Sequence, residues 1–120
     1  MNKPHKKLDV CASAVDLGQL AYQTTDHFPI KEQYGLSSQI RRAAVSIPSN
    51  ITEGAARHSK KEFLQFLHIA RGSLSELDTQ LELAKRLEYI DQNEWATLNE
   101  LPERVDKMLS GLIRHLGRKL

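Results

Sequence analysis

Apolar residues recur every three or four positions in four successive segments of the chain, the period that places side chains on one face of a helix. In the first, over about 8–28, Leu8, Cys11, Val15, Gly18, Tyr22 and Thr25 form a stripe with Ala14, Leu17 and Ala21 beside it. Phe28-Pro29 ends this segment, because a residue before proline avoids the helical region. Residues 29–35 then read as a connection. The second segment, over 36–57, carries Ile40, Ala44, Ile47 and Ile51. The third, over 60–88, opens on Ser59-Lys60-Lys61-Glu62, a capping-box pattern, and continues with Phe63, Leu67, Ala70, Leu74, Leu77, Leu81 and Ala84 in heptad register. Phe66, Ile69, Leu83 and Leu87 widen that stripe, which predicts more than one neighbour for this helix. The fourth, over 92–118, begins with Asp91-Gln92-Asn93-Glu94 and carries Leu98, Leu101, Val105, Met108, Leu112 and Leu116, with Trp95, Leu109 and Ile113 alongside. No strand-like alternation competes. The pattern predicts an all-α, antiparallel up-down four-helix bundle: one domain over 1–120, with a basic tail over 1–7.

Two prolines interrupt this periodicity. Pro102 falls inside the fourth segment and Pro48 inside the second, within IRRAAVSIPSNITEG. An interior proline removes a hydrogen bond and clashes with the carbonyl four residues back, at a cost of about 3 kcal/mol. Around Pro48 the neighbours Ala43, Ala44, Ser46 and Ser49 are all small. Small side chains let a helix bend with little loss of packing, so the stretch predicts a kinked second helix. A break with a new helix starting near Pro48 ranks second, because Ile47 is a poor N-cap.

Composition agrees with a helical domain. Of 120 residues, 40% are hydrophobic and 27% charged, a globular balance, while aromatic residues are only 6%. The net charge of +2 is too mild to argue for nucleic acid unless the cations cluster. Cys11 is the only cysteine, which excludes an intrachain disulfide and fits a reducing, cytoplasmic setting. No apolar run approaches the roughly 18 residues of a membrane span, and MNKPHKKLDV has no apolar core of a signal peptide.

The second and third segments also carry a resemblance. SQIRRAAVSIPSNITEG, preceded by EQYGLS and followed by ARHSKKEFLQFLHIARGSLSELDTQLELAKRLEYI, closely resembles the four-helix-bundle proteins encoded by intervening sequences in bacterial 23S ribosomal RNA genes. The match is strong over about 28–90 and looser elsewhere. It implies a small bundle that assembles as a ring-shaped homopentamer. It also implies kinship with the accessory proteins of diversity-generating retroelements, basic pentameric barrels that work with a reverse transcriptase and bind nucleic acid. Within the signature, Pro48, Ser49, Asn50, Glu53 and Gly54 are expected to shape helix two and its contacts. Asn50 and Glu53 lie near the apolar face and need polar partners, for which Gln39, Arg42 and the backbone freed by Pro48 are candidates. Gly54, with Ala55 and Ala56, predicts close approach of another helix or a loosened end to helix two.

The clearest cationic constellation is Arg41, Arg42, Arg57, Lys60 and Lys61, with His58 among them. Arg41 and Arg42 are expected at the edge of helix two, and the others at its junction with helix three, where free amides add positive potential. Such a cluster reads either as a phosphate-binding surface for RNA or DNA, or as ordinary solvated charges paired with Glu76, Asp78 or Glu82. Lys3, Lys6 and Lys7 form a second basic group, and Arg114, His115, Arg118 and Lys119 a third that suits the negative end of a helix dipole. No aromatic interleaving of the kind that stacks single-stranded bases stands near any of them in the sequence, which predicts contacts to phosphates only.

Catalytic and metal chemistry find no support. There is no Glu-x-x-His, no pair of histidines at helical zinc spacing, no nucleophile elbow and no phosphate-binding glycine loop. Cys11 sits in an apolar stripe, as a packed thiol does. The expected function is therefore non-enzymatic, without cofactor, metal or membrane. One reading is a homo-oligomer that binds RNA or DNA through its basic surface. The other is an interaction scaffold for an acidic protein or a polymerase.

Overall fold

The computed structural model describes residues 8–119. The expected basic tail 1–7, with Lys3, Lys6 and Lys7, lies outside the described residues. The chain folds into helices α1 (Asp9–Thr25), α2 (Leu36–Ala55), α3 (Lys60–Arg86), α4 (Gln92–Leu98) and α5 (Glu100–Gly117), with one 3-10 turn at Ile30–Glu32. No strand occurs among the described residues. In the bundle α1 packs on α2 and α5, and α3 packs on α2 and α5. The α1–α2 side therefore lies opposite the α3–α5 side, in a body of 45 × 25 × 21 Å.

The α2 stripe forms the centre of the core. Ile40, Ala44, Ile47 and Ile51 are all fully buried, and so are Leu67, Ala70, Leu77 and Ala84 of the facing heptad seam. Burial of this kind contributes about 1.5–3 kcal/mol for each large aliphatic side chain. The α1 stripe is rotated from the expected one. Its core members are Val10, Cys11, Ala14, Leu17, Gly18 and Ala21, whereas Val15 and Tyr22 face outward. Ala14, Leu17 and Ala21 keep the same helical period and permit a closer approach to α2. The Cys11 thiol is buried 3.7 Å from the Thr52 hydroxyl.

The widened stripe of α3 is likewise only partly covered. Phe66 is half-buried, and Ile69, Leu83 and Leu87 remain exposed on one side of the helix. A single copy of the bundle supplies no neighbour for them.

The two prolines have different outcomes. Helix α2 runs unbroken through Pro48, so the chain does not restart there. The fourth segment, expected as one helix, is two, joined at Asn99. Pro102 gives the reason. It stands in the first turn of α5, has no N–H to offer the Leu98 carbonyl, and its ring excludes that carbonyl. Asn99 bridges the gap: its N–H donates to the Trp95 carbonyl, and its own carbonyl accepts from the Glu103 N–H, both at 3.2 Å. Pro102 and Leu98 are buried at this joint.

Caps set the remaining ends. At α4 the Glu94 N–H donates to Asp91 Oδ1 at 2.8 Å and the Asp91 N–H to Glu94 Oε1 at 3.4 Å, completing the expected box. At α3 the Ser59 hydroxyl accepts from the Glu62 N–H at 3.1 Å, while Glu62 Oε1 takes the Ser59 hydroxyl rather than its N–H. Helix α3 ends in a Schellman turn. The Tyr89 N–H donates to the Ala84 carbonyl and the Glu88 N–H to the Lys85 carbonyl, both at 2.9 Å, with Glu88 in the left-handed region at φ 65°.

Candidate nucleic-acid interface

Arg41 emanates from the first half of α2 and reaches across to the end of α1. Its Nε donates to Thr25 Oγ1 at 2.7 Å, and its Nη2 to the Tyr22 carbonyl at 3.4 Å. The guanidinium carbon lies 4.6 Å from the centre of the Tyr22 ring. The Tyr22 carbonyl belongs to the last turn of α1, where it also accepts the Asp26 N–H at 3.1 Å and where the dipole favours a cation. Asp26 stands 3.9 Å away but is largely exposed, so this ion pair adds little. Arg41 is thus a half-buried brace between two helices, rather than the free edge charge the sequence suggests.

Arg42, one residue on, points into solvent. Arg57, His58, Lys60 and Lys61 are exposed around the turn from α2 to α3, with the Arg57 guanidinium 4.9 Å above the Phe66 ring. The five cations do not form one cluster. At 1.5 Å per helical residue, Arg42 in the first half of α2 and Arg57 just past its end stand about 22 Å apart. Among the described residues, the Arg41–Asp26 contact is the one ion pair within 4 Å. The acids expected to neutralise the cluster, Glu76, Asp78 and Glu82, do not reach it. Lys60 and Lys61 moreover occupy the first turn of α3, where the helix dipole disfavours cations.

Asn50, through Ser46, and Gly54 serve the α2–α3 contact. Asn50 Nδ2 donates to the Ser46 carbonyl at 2.8 Å and to Ser46 Oγ at 2.9 Å, and the Ser46 and Ser73 hydroxyls meet at 2.9 Å. Gln39 and Arg42 do not bond to Asn50. Its partner is the Ser46 carbonyl rather than the Ala44 carbonyl that Pro48 leaves free. Pro48 is half-buried, while Ser49 and Glu53 are exposed. Gly54 is buried where α2 meets the start of α3: a Cβ there would stand 2.7 Å from Phe66 Cβ and 2.9 Å from Phe63 Cδ1. Close approach, not a loosened end, is its role. At the far end of α5, Arg114 and His115 occupy the last turn, as the dipole favours.

Tertiary structure adds what the linear order hides. Tyr22 and Tyr34 share an open groove of about 490 Å³ with Gln33, Arg41, Arg42 and Val45. Aromatic rings therefore do stand beside a basic pair, against the sequence expectation. The available signal was the hairpin register. Residues equidistant from the turn at Lys31 and Glu32 meet across α1 and α2, which pairs Tyr22 with Arg41. The opposite, α3–α5 side holds a groove of about 280 Å³ lined by Asp78, Glu103 and Asp106. The two grooves differ in sign: arginines line the first and carboxylates the second. Among the described residues no group of three or more His, Cys, Asp or Glu side chains is placed to hold a metal ion, and no helix is long and apolar enough to cross a membrane.

Comparison with known proteins agrees with this architecture. A crystal structure of a protein of unknown function from the S23 ribosomal protein family of Bacteroides thetaiotaomicron superposes with a TM-score of 0.80. The two are 25% identical, over 88% of this chain and 95% of that one. No curated protein matches the chain. The family model described as 23S rRNA-intervening sequence protein matches residues 6–111, nearly the whole bundle, and the chain belongs to that family.

Proposed function

We propose that this protein is a non-enzymatic, nucleic-acid-associated bundle that contacts the phosphates of RNA or DNA. The observation that carries this reading is the state of the cations along α2 and its junction with α3. Arg42, Arg57, Lys60 and Lys61 are exposed, and no carboxylate lies within ion-pair distance of them among the described residues. Unneutralised charge of this kind releases counterions from a nucleic-acid backbone when it binds, which supplies affinity without sequence preference.

The working form in this proposal is a ring-shaped homo-oligomer, with the pentamer as the expected size. Exposed Ile69, Leu83 and Leu87 on α3 and exposed Val15 on α1 are apolar surface on different sides of one bundle. Unlike patches on two sides suit a head-to-tail contact, which closes into a ring when the rotation permits. A ring repeats each cationic group by its symmetry and multiplies its effect through avidity.

The test is binding of nuclease-treated, nucleic-acid-free protein to short fluorescent RNA and DNA across a salt series, with the particle mass from light scattering. Affinity that falls steeply with salt on a particle of about five subunits supports the proposal. Absence of binding at low salt overturns it and leaves the cations to an acidic protein partner.

A further inference from the structure

We propose that the groove between the end of α1 and the start of α2 holds an unpaired base of a single strand, stacked on Tyr34, with its phosphate on Arg42. This rests on the nucleic-acid reading above and adds to it a site and a strand preference.

Tyr34 is 91% exposed, in the connection just before α2. Its ring thus presents a flat, apolar face to solvent at the rim of a groove that already contains Arg41 and Arg42. Tyr22, 48% exposed, lines the same groove, but Arg41 covers its ring at 4.6 Å. Tyr34 is therefore the free stacking platform. The two arginines are not equivalent. Arg41 is fixed by Thr25, by the Tyr22 carbonyl and by the ring, and so holds positive charge beside the groove without conformational freedom to lose. Arg42 has no partner within the bundle among the described residues and is free to follow a phosphate. Gln33 adds a side-chain amide able to donate to and accept from a base edge.

An exposed aromatic face with adjoining cations is the combination that binds single strands, because every base has a π-face and every linkage a charge. A volume of about 490 Å³ lies within the roughly 300–1,000 Å³ typical of small-molecule sites. Duplexes keep their bases inside the stack, so a ring on a shallow rim cannot reach them. The groove lined by Asp78, Glu103 and Asp106 repels phosphate and so does not compete for the strand.

The experiment compares a single strand with a duplex of equal length by fluorescence anisotropy. It uses the wild type, Tyr34→Ala, Tyr34→Phe and Arg42→Gln, with the mass of each measured by light scattering. A single strand carrying 2-aminopurine reports stacking by fluorescence quenching. We expect wild-type preference for the single strand and quenching on binding. Tyr34→Ala lowers single-strand affinity about tenfold, abolishes the quenching and leaves duplex binding unchanged. Tyr34→Phe retains both. Arg42→Gln weakens all ligands and reduces the salt slope by about one. Equal binding of both forms, or a Tyr34→Ala protein that binds and quenches like wild type, overturns the stacking site while the phosphate reading stands. A Tyr34→Ala protein that loses subunits assigns the groove to a second copy and likewise overturns it. Binding of neither ligand overturns both readings.

Discussion

The Tyr89 hydroxyl donates to Glu32 Oε2 at 2.9 Å, and Glu32 Oε1 accepts the Leu36 N–H at 3.1 Å. One carboxylate thus ties the end of α3 to the first turn of α2, across 57 residues of chain. The Tyr89 ring also packs on Phe28, with centroids 5.3 Å apart. The relationship positions the connection that carries Gln33 and Tyr34, and so joins the fold to the proposed site.

This pair makes stability depend on pH at both extremes. The Leu36 N–H, and after it the Tyr89 hydroxyl, hold the Glu32 carboxyl below its ordinary range. Its contribution is full above the unfolded-state value and is lost as pH falls through the lower folded-state value. Hydrogen bonding to Glu32 raises the Tyr89 phenol, whose contribution is full below its unfolded-state value and is lost as pH rises through the folded one. Urea unfolding midpoints across pH should show both losses in the wild type. Glu32→Gln should flatten the acid side and Tyr89→Phe the alkaline side.

Glu88 occupies the left-handed position of the Schellman turn, which a residue with a Cβ adopts at a cost of about 1–2 kcal/mol. Glu88→Gly removes that cost but loosens the unfolded chain, so a net gain of roughly 0.5–1 kcal/mol is expected. A higher thermal midpoint with unchanged helical circular dichroism is the expected result; a lower one would mean that the Glu88 side chain does more than tolerate the turn.

Gly54→Ala should act in the opposite direction. The added methyl meets Phe66 Cβ at 2.7 Å, and the Phe63 carbonyl 3.3 Å away belongs to the backbone of α3. Relief requires α2 and α3 to separate, for which overpacking costs of about 1–3 kcal/mol are usual. Denaturant unfolding should show a lower midpoint with an unchanged slope.

Lys60 and Lys61 separate stability from binding. Replacing both with Glu puts anions in the first turn of α3, worth about 0.3–1 kcal/mol each at low salt. The proposed function predicts a more stable protein that binds nucleic acid less tightly. Thermal melts and salt-series binding on the same sample check the two effects together. Unchanged binding would remove these lysines from the interface.

The sequence by itself determined the helices and most of the core, because these follow from local physics. Periodicity located Ile40, Ala44, Ile47 and Ile51 as one buried stripe, and short-range capping chemistry marked the starts at Ser59 and Asp91. The signature around Pro48 was enough to point to the family. Tertiary structure decided the rest. The joint at Asn99 depended on whether Pro102 fell within a helix or opened one, a choice made where Leu98 and Pro102 bury together. The rotation of α1 turned Tyr22 from core to surface, since contact with α2 favours the small residues Ala14 and Ala21. Arg41 became a brace because which charges and rings meet depends on how two helices register across a turn, and spacing along one helix carries no information about its neighbour.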